Sequence, residues 1–136
     1  MATAQNEMTL HLHSGIPVVD IEGVWSEKTE GALGETVRSL LRAGHFDIIV
    51  NLSHSVGIPL PERRWLESLE QLATSLRARC GRLDVVGTVD QVRECLRRQA
   101  RTGLRWATSE EEAVCRIKGI PLATRGPIVS ARLKSA

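Results

Sequence analysis

The residue order predicts an α/β domain with a mostly parallel sheet, an N-terminal antiparallel hairpin at its edge, and helices packed on the sheet. Short β-branched runs such as Phe46-Asp47-Ile48-Ile49-Val50 and Leu83-Asp84-Val85-Val86 read as buried strands. Between them, Trp65, Leu66, Leu69, Leu72, Ala73 and Leu76 have the spacing of an amphipathic helix over Glu62–Arg79. A strand–helix–strand of this length needs a right-handed crossover, so its strands lie parallel in one sheet.

Taken from the N-terminus, Met8, Leu10 and Leu12 alternate with Thr9, His11 and His13. This pattern predicts a half-buried edge strand with the apolar residues turned inward. Ser14-Gly15 is a hairpin turn, and Ile16–Ile21 is the returning strand with Asp20 facing out. Trp25 and Ser26 lead into a helix from Lys28 to Ala43, stopped by Gly44. Its Gly31 and Gly34 weaken it intrinsically and mark close packing or a contact surface. The central strand ends in a loop, Asn51–Pro61, rich in Ser, Gly and Pro. Gly81 ends the helix that follows. Thr88 with Gln91 predicts a capped helix bearing Val89, Val92, Leu96 and Ala100, ended by Gly103. Leu104-Arg105-Trp106 is a short strand or turn. Ser109 with Glu112 caps the last helix, whose Ala113, Val114 and Ile117 face inward. Glu110 and Glu111 suit its positive end.

Bulk properties set the class. The chain has 136 residues, 42% of them apolar, as expected of one folded domain. No apolar run approaches the roughly 20 residues that span a bilayer, so direct membrane insertion is not expected. Met1–Glu7 lacks a signal-peptide core, and the reading is a cytoplasmic chain. Cys80, Cys95 and Cys115 form no C-x-x-C pair or disulfide framework and read as small apolar fillers. The net charge is only +2, yet arginines concentrate at positions 77, 79, 82, 93, 97, 98, 101 and 105. Solvated helix faces account for them. Without aromatic interleaving or a helix-turn-helix pattern, no nucleic acid is expected.

Several blocks, taken in order, resemble the STAS domain of bacterial anti-sigma-factor antagonists. They are Gly15-Ile16-Pro17-Val18-Val19-Asp20-Ile21-Glu22-Gly23, Leu40-Leu41-Arg42-Ala43-Gly44 and Ile48-Ile49-Val50-Asn51-Leu52-Ser53. Further on come Leu76–Leu83 with Val85-Val86-Gly87, then Thr102-Gly103-Leu104 and Ser109-Glu110-Glu111-Glu112-Ala113. The resemblance covers residues 8 to 118. It implies a STAS-like single domain there, with Met1–Glu7 a flexible N-terminus and 119–136 a basic C-terminal tail. It also implies a phosphoserine switch at the helix after the central strand, because a phosphate suits a helix N-terminus and disrupts a packed interface. This chain departs from that pattern. One register places the family's motif on Pro59-Leu60-Pro61-Glu62 and the other on Glu62-Arg63-Arg64-Trp65, and neither supplies the acceptor serine. The family usually has Asp where Asn51 stands.

The loop leaving the carboxyl end of a parallel strand is where function gathers in such sheets. The candidate partner-binding residues are therefore Asn51, Ser53, His54, Ser55, Pro59, Pro61, Glu62, Arg63 and Arg64, with Ser53 and Ser55 as weak substitute phosphorylation sites. Pro61 suits a first helical turn and Glu62 the helix dipole, whereas Arg63 and Arg64 oppose it and suit an acidic partner or a phosphate. Trp65 reads as core or as an anchor for a partner. His11 and His13 share a strand face, but no third ligand has a readable spacing, so no metal is expected. His54 between Ser53 and Ser55 lacks the geometry and motifs of a hydrolase. The resulting expectation is a non-catalytic regulatory domain without a cofactor. Its partner is an anti-sigma factor of the serine-kinase-type ATPase class. The alternative is a cytoplasmic subunit of an ABC-type lipid transport system, bound to a transporter ATPase. A homodimer is left open.

Overall fold

The computed structural model describes residues 7–57, 62–88 and 104–121. Its elements are β1 (Glu7–His13), β2 (Ile16–Val24), α1 (Glu27–Arg42), β3 (Asp47–Asn51), β4 (Ser55–Gly57), α2 (Glu62–Arg77), β5 (Arg82–Val86), β6 (Arg105–Ala107) and α3 (Glu110–Lys118). The sheet runs β1-β2-β3-β5-β6, and β4 joins β2 off that path. Among the described residues, only the β1–β2 pair is antiparallel; β2–β3, β3–β5, β5–β6 and β2–β4 are parallel. This is the predicted α/β architecture with its hairpin edge.

Local chemistry accounts for the elements. Ser14 and Gly15 both take positive φ, 55° and 84°, as the two-residue type I′ hairpin turn requires. Ser26 caps α1 by accepting from the Thr29 amide at 3.3 Å. Ser109 caps α3 through the Glu112 amide at 3.1 Å, and Glu112 Oε1 reaches back to the Thr108 amide at 2.8 Å.

The sheet divides the core. On one side α1 and α2 cover Val19, Ile21, Ile48, Val50, Leu83 and Val85, using Leu33, Val37, Leu69, Ala73 and Leu76, with Trp25 fully buried among them. On the other side Ala113 and Val114 of α3 cover the smaller set Ile16, Val18, Ile49, Val86 and Ala107. The successive residues Ile48-Ile49-Val50 therefore bury alternately on both faces, as a continuous apolar run implies.

The structure corrects several expectations. Leu10 and Leu12 are 52% and 62% exposed. An edge strand has a neighbour on one side only, and of the three inward-assigned residues Met8 is the one packed against the core. Strand β2 continues past Ile21 to Val24 because β4 pairs with its end, with the register shifting between Gly23 and Val24. β4 itself lies inside the stretch expected to be loop. Asn51 is the last residue of β3, and it is buried. Gly31 and Gly34 make no close packing: a Cβ on Gly31 would meet nothing, and one on Gly34 only the tip of Arg38. α2 ends at Arg77, and the left-handed residue of the following turn is Cys80 (φ 62°), not Gly81. Cys80 is exposed there and fills no core space, while Cys115 is partly buried. The last strand is shifted by one residue, to Arg105–Ala107. The helix expected after Thr88, with its arginines and Cys95, lies outside the described residues, as do residues 1–6 and 122–136.

Candidate functional site

The middle of β2 and the carboxyl end of β3 carry polar side chains on the α3 face of the sheet. The parallel register sets Asp20 beside Asn51. Because β1 runs antiparallel to β2 with His11 opposite Val18 and His13 opposite Ile16, both imidazoles stand on this same face.

Glu110, first residue of α3, joins the strands. Its Oε1 meets His11 Nε2 at 3.2 Å and His13 Nδ1 at 3.0 Å. Its Oε2 accepts from Asn51 Nδ2 at 2.9 Å. Asn51 Oδ1 in turn accepts from the Ser53 amide at 2.9 Å and the Ser53 hydroxyl at 2.6 Å. One continuous path of hydrogen bonds therefore runs from the outer strand, across the start of α3, into the loop after β3. Partial burial works to raise the Glu110 carboxyl. The hydrogen bonds from His13, Asn51 and His11 outweigh it and hold the group below the ordinary carboxylate value.

The loop is pinned at further points. Ser55 Oγ donates to the Leu52 carbonyl at 2.8 Å, and the Leu52 amide donates to the Val86 carbonyl at 2.7 Å. His54 Nδ1 lies 3.4 Å from Asp20 Oδ1, and the Gly23 amide donates to the His54 carbonyl at 3.3 Å. The hydroxyls of Ser53 and Ser55 are thus directed to Asn51 and Leu52, not to His54. This is not the arrangement of a nucleophile with its base, which needs a hydrogen bond between them.

Among the predicted site residues, the fold gathers Asn51, Ser53, His54 and Ser55. Pro59 and Pro61 lie outside the described residues. Glu62, Arg63 and Arg64 form the first turn of α2, where the description is of the backbone, and the same holds for Trp65. Sequence reasoning missed Glu110 as the joint of the network, since its only visible role was toward its own helix dipole. It also placed Asp20 outward, although its side chain is only 16% exposed and faces His54. His11 and His13 are not a bare strand face, since each gives a ring nitrogen to Glu110. Among the described residues, the group with metal-ligand spacing is instead Asp20, Glu22 and His54, whose ligand atoms all lie within 4.8 Å of one another. Exposed acidic groups often gather so without an ion.

No family model matches the sequence, and no curated protein matches it. The fold, however, has solved counterparts. A crystal structure of an anti-sigma factor antagonist from Mycobacterium paratuberculosis superposes with a TM-score of 0.70 at 16% identity, over 86% of this chain and 97% of that one. The chain has the anti-sigma-factor-antagonist fold. The antagonist SpoIIAA in its unphosphorylated form matches at 0.63 and 16% identity, over 84% of this chain and 100% of that one. An uncharacterised Shewanella loihica protein with a SpoIIAA-like fold matches at 0.54 and 12% identity, over 86% and 98% of the two chains. In the antagonist fold seen here, the polar path runs from β1 through the start of α3 to the carboxyl end of β3. Among the described residues, no helix is long and apolar enough to cross a membrane.

Proposed function

We propose that this chain is a non-catalytic, protein-binding regulator that acts as an anti-sigma-factor antagonist does. The observation that supports this is the fold match across 86% of this chain and 97% of the Mycobacterium antagonist. Residues 8–118 form the binding domain. Its capture surface is the segment Asn51–Arg64: Asn51, Ser53, His54 and Ser55 at the strand end, then Pro59, Pro61, Glu62, Arg63 and Arg64 into α2. The partner is an anti-sigma factor of the serine-kinase-type ATPase class, met in the cytoplasm. Arg63 and Arg64 favour an acidic surface on it.

Control does not run through the usual phosphoserine, because neither register supplies one. Ser53 and Ser55 are poor substitutes, since their hydroxyls already hold the loop to Asn51 and Leu52. Abundance or competition for the partner sets the output instead.

Affinity purification of the tagged chain from its own host, read by mass spectrometry, tests the reading. Recovery of a kinase-type anti-sigma factor is expected. The double reversal Arg63→Glu with Arg64→Glu should weaken that complex at least tenfold and leave folding unchanged. Recovery of a transporter ATPase and permease would instead make the chain a transport subunit.

A further inference from the structure

Strand β1 pairs with β2 along one edge, and among the described residues nothing pairs with its other edge. Exposed edges are normally blunted by proline, lysine, a bulge or brevity. β1 has seven residues, contains neither proline nor lysine, and keeps an unbroken register with β2 from Glu7 to His13. It also exposes two leucines on one face, Leu10 and Leu12.

We propose that β1 pairs antiparallel with β1 of a second copy of this chain, about a two-fold axis through Leu10, so that two sheets become one. The strand is self-complementary in that register. Leu10 stands opposite Leu10, and Met8 opposite Leu12, so one face of the junction is apolar throughout. On the other face Thr9 stands opposite His11. No other two-fold register does as well. A centre at His11 sets two imidazoles against each other, each already engaged with Glu110, and pushes Met8 against Ser14 of the turn. A centre at Thr9 leaves Leu12 and His13 opposite residues that precede the strand. The occupant is a second copy because the complementarity is written in this strand alone. The contact is isologous, and backbone hydrogen bonds supply much of it, as in strand addition generally. A seven-residue junction is smaller than a standard interface, so the dimer depends on concentration.

Sedimentation velocity of the full chain over a wide concentration series should show a monomer–dimer equilibrium. Leu10→Lys sets two ammonium groups against each other on the axis. It should weaken dimerisation at least tenfold while leaving circular dichroism unchanged, and Tm unchanged at dilutions where both proteins are monomeric, since the side chain is exposed. With Cys80, Cys95 and Cys115 changed to Ser, Leu10→Cys should give a covalent dimer on mild oxidation, and Leu12→Cys, which faces Met8, should not. A monomer at every concentration, a dimer indifferent to Leu10→Lys, or cross-linking through Leu12→Cys as fast as through Leu10→Cys would each overturn the proposal. The Leu10→Lys measurement keeps the native cysteines and stands by itself.

Discussion

Asn51, the last residue of β3, and Glu110, the first of α3, are 59 positions apart in sequence and joined by a 2.9 Å hydrogen bond. Asn51 is only 4% exposed, and both ends of its amide are used: the nitrogen toward Glu110, the oxygen toward Ser53. Asn51→Ala removes a donor from a partly buried carboxylate and an acceptor from the Ser53 amide and hydroxyl. The expected loss is about 1–3 kcal/mol, the cost of leaving such groups unsatisfied. Urea denaturation of the two proteins measures it.

The same carboxylate gives the acid side of the stability curve its shape. The folded state holds Glu110 below its ordinary value of 4.5, so this contribution is present above that pH and is lost as pH falls through the lower, folded value. Glu110→Gln removes the titration. Its stability should fall less steeply than the wild type below pH 4.5, and thermal melts from neutral to strongly acidic buffer test this.

Asp84 of β5 is fully buried, and neither oxygen has a hydrogen-bond partner among the described residues. Arg105 Nε, 3.5 Å away, is its ion-pair partner. Burial pushes the Asp84 carboxyl above its ordinary value of 3.8, against the pull of Arg105, Arg116 and Arg82. A buried pair of this kind is often replaced by an apolar residue at no loss. Asp84→Val should raise stability by about 1 kcal/mol at neutral pH, with Arg105 left partly solvated. Because the folded value is the raised one, the penalty on ionised Asp84 fades as pH drops, and the advantage of the variant should shrink with it.

Gly81 is fixed by close approach. A Cβ there would come 1.9 Å from the Phe46 carbonyl oxygen, an atom that also accepts from the Arg82 amide. Gly81→Ala must move the start of β5 away from the segment before β3. A loss above about 3 kcal/mol, or failure to fold, is expected, in the class of strongly destabilising backbone changes. Soluble expression and chemical denaturation distinguish the two.

Local signals in the sequence carried most of the fold. Ile48-Ile49-Val50, the Ser14-Gly15 turn and the Ser109–Glu112 cap each declare their conformation within a few residues, and the crossover rule makes the strands flanking α2 parallel. What could not be read depends on distance. Nothing near Glu110 points to His11, His13 or Asn51, because those meetings arise only once α3 lies across the sheet. β4 was hidden for a similar reason: Ser55-Val56-Gly57 has no strand pattern of its own and is ordered by the end of β2. Leu10 and Leu12 misled because alternation gives the face of a strand, not whether that face is covered.

The unequal division of the core bears on how the molecule breathes. Among the described residues, α3 is nine residues long and covers the smaller cluster, while α1 and α2, of sixteen residues each, cover the larger one. Sub-global opening follows the least-buried unit. In native-state hydrogen exchange the α3 amides should therefore trade with solvent well before those of α1. Each such excursion carries Glu110 away, and for that moment His11, His13 and Asn51 are released together. The end of β3 and the outer strand thus share one opening event, although two strand widths lie between them.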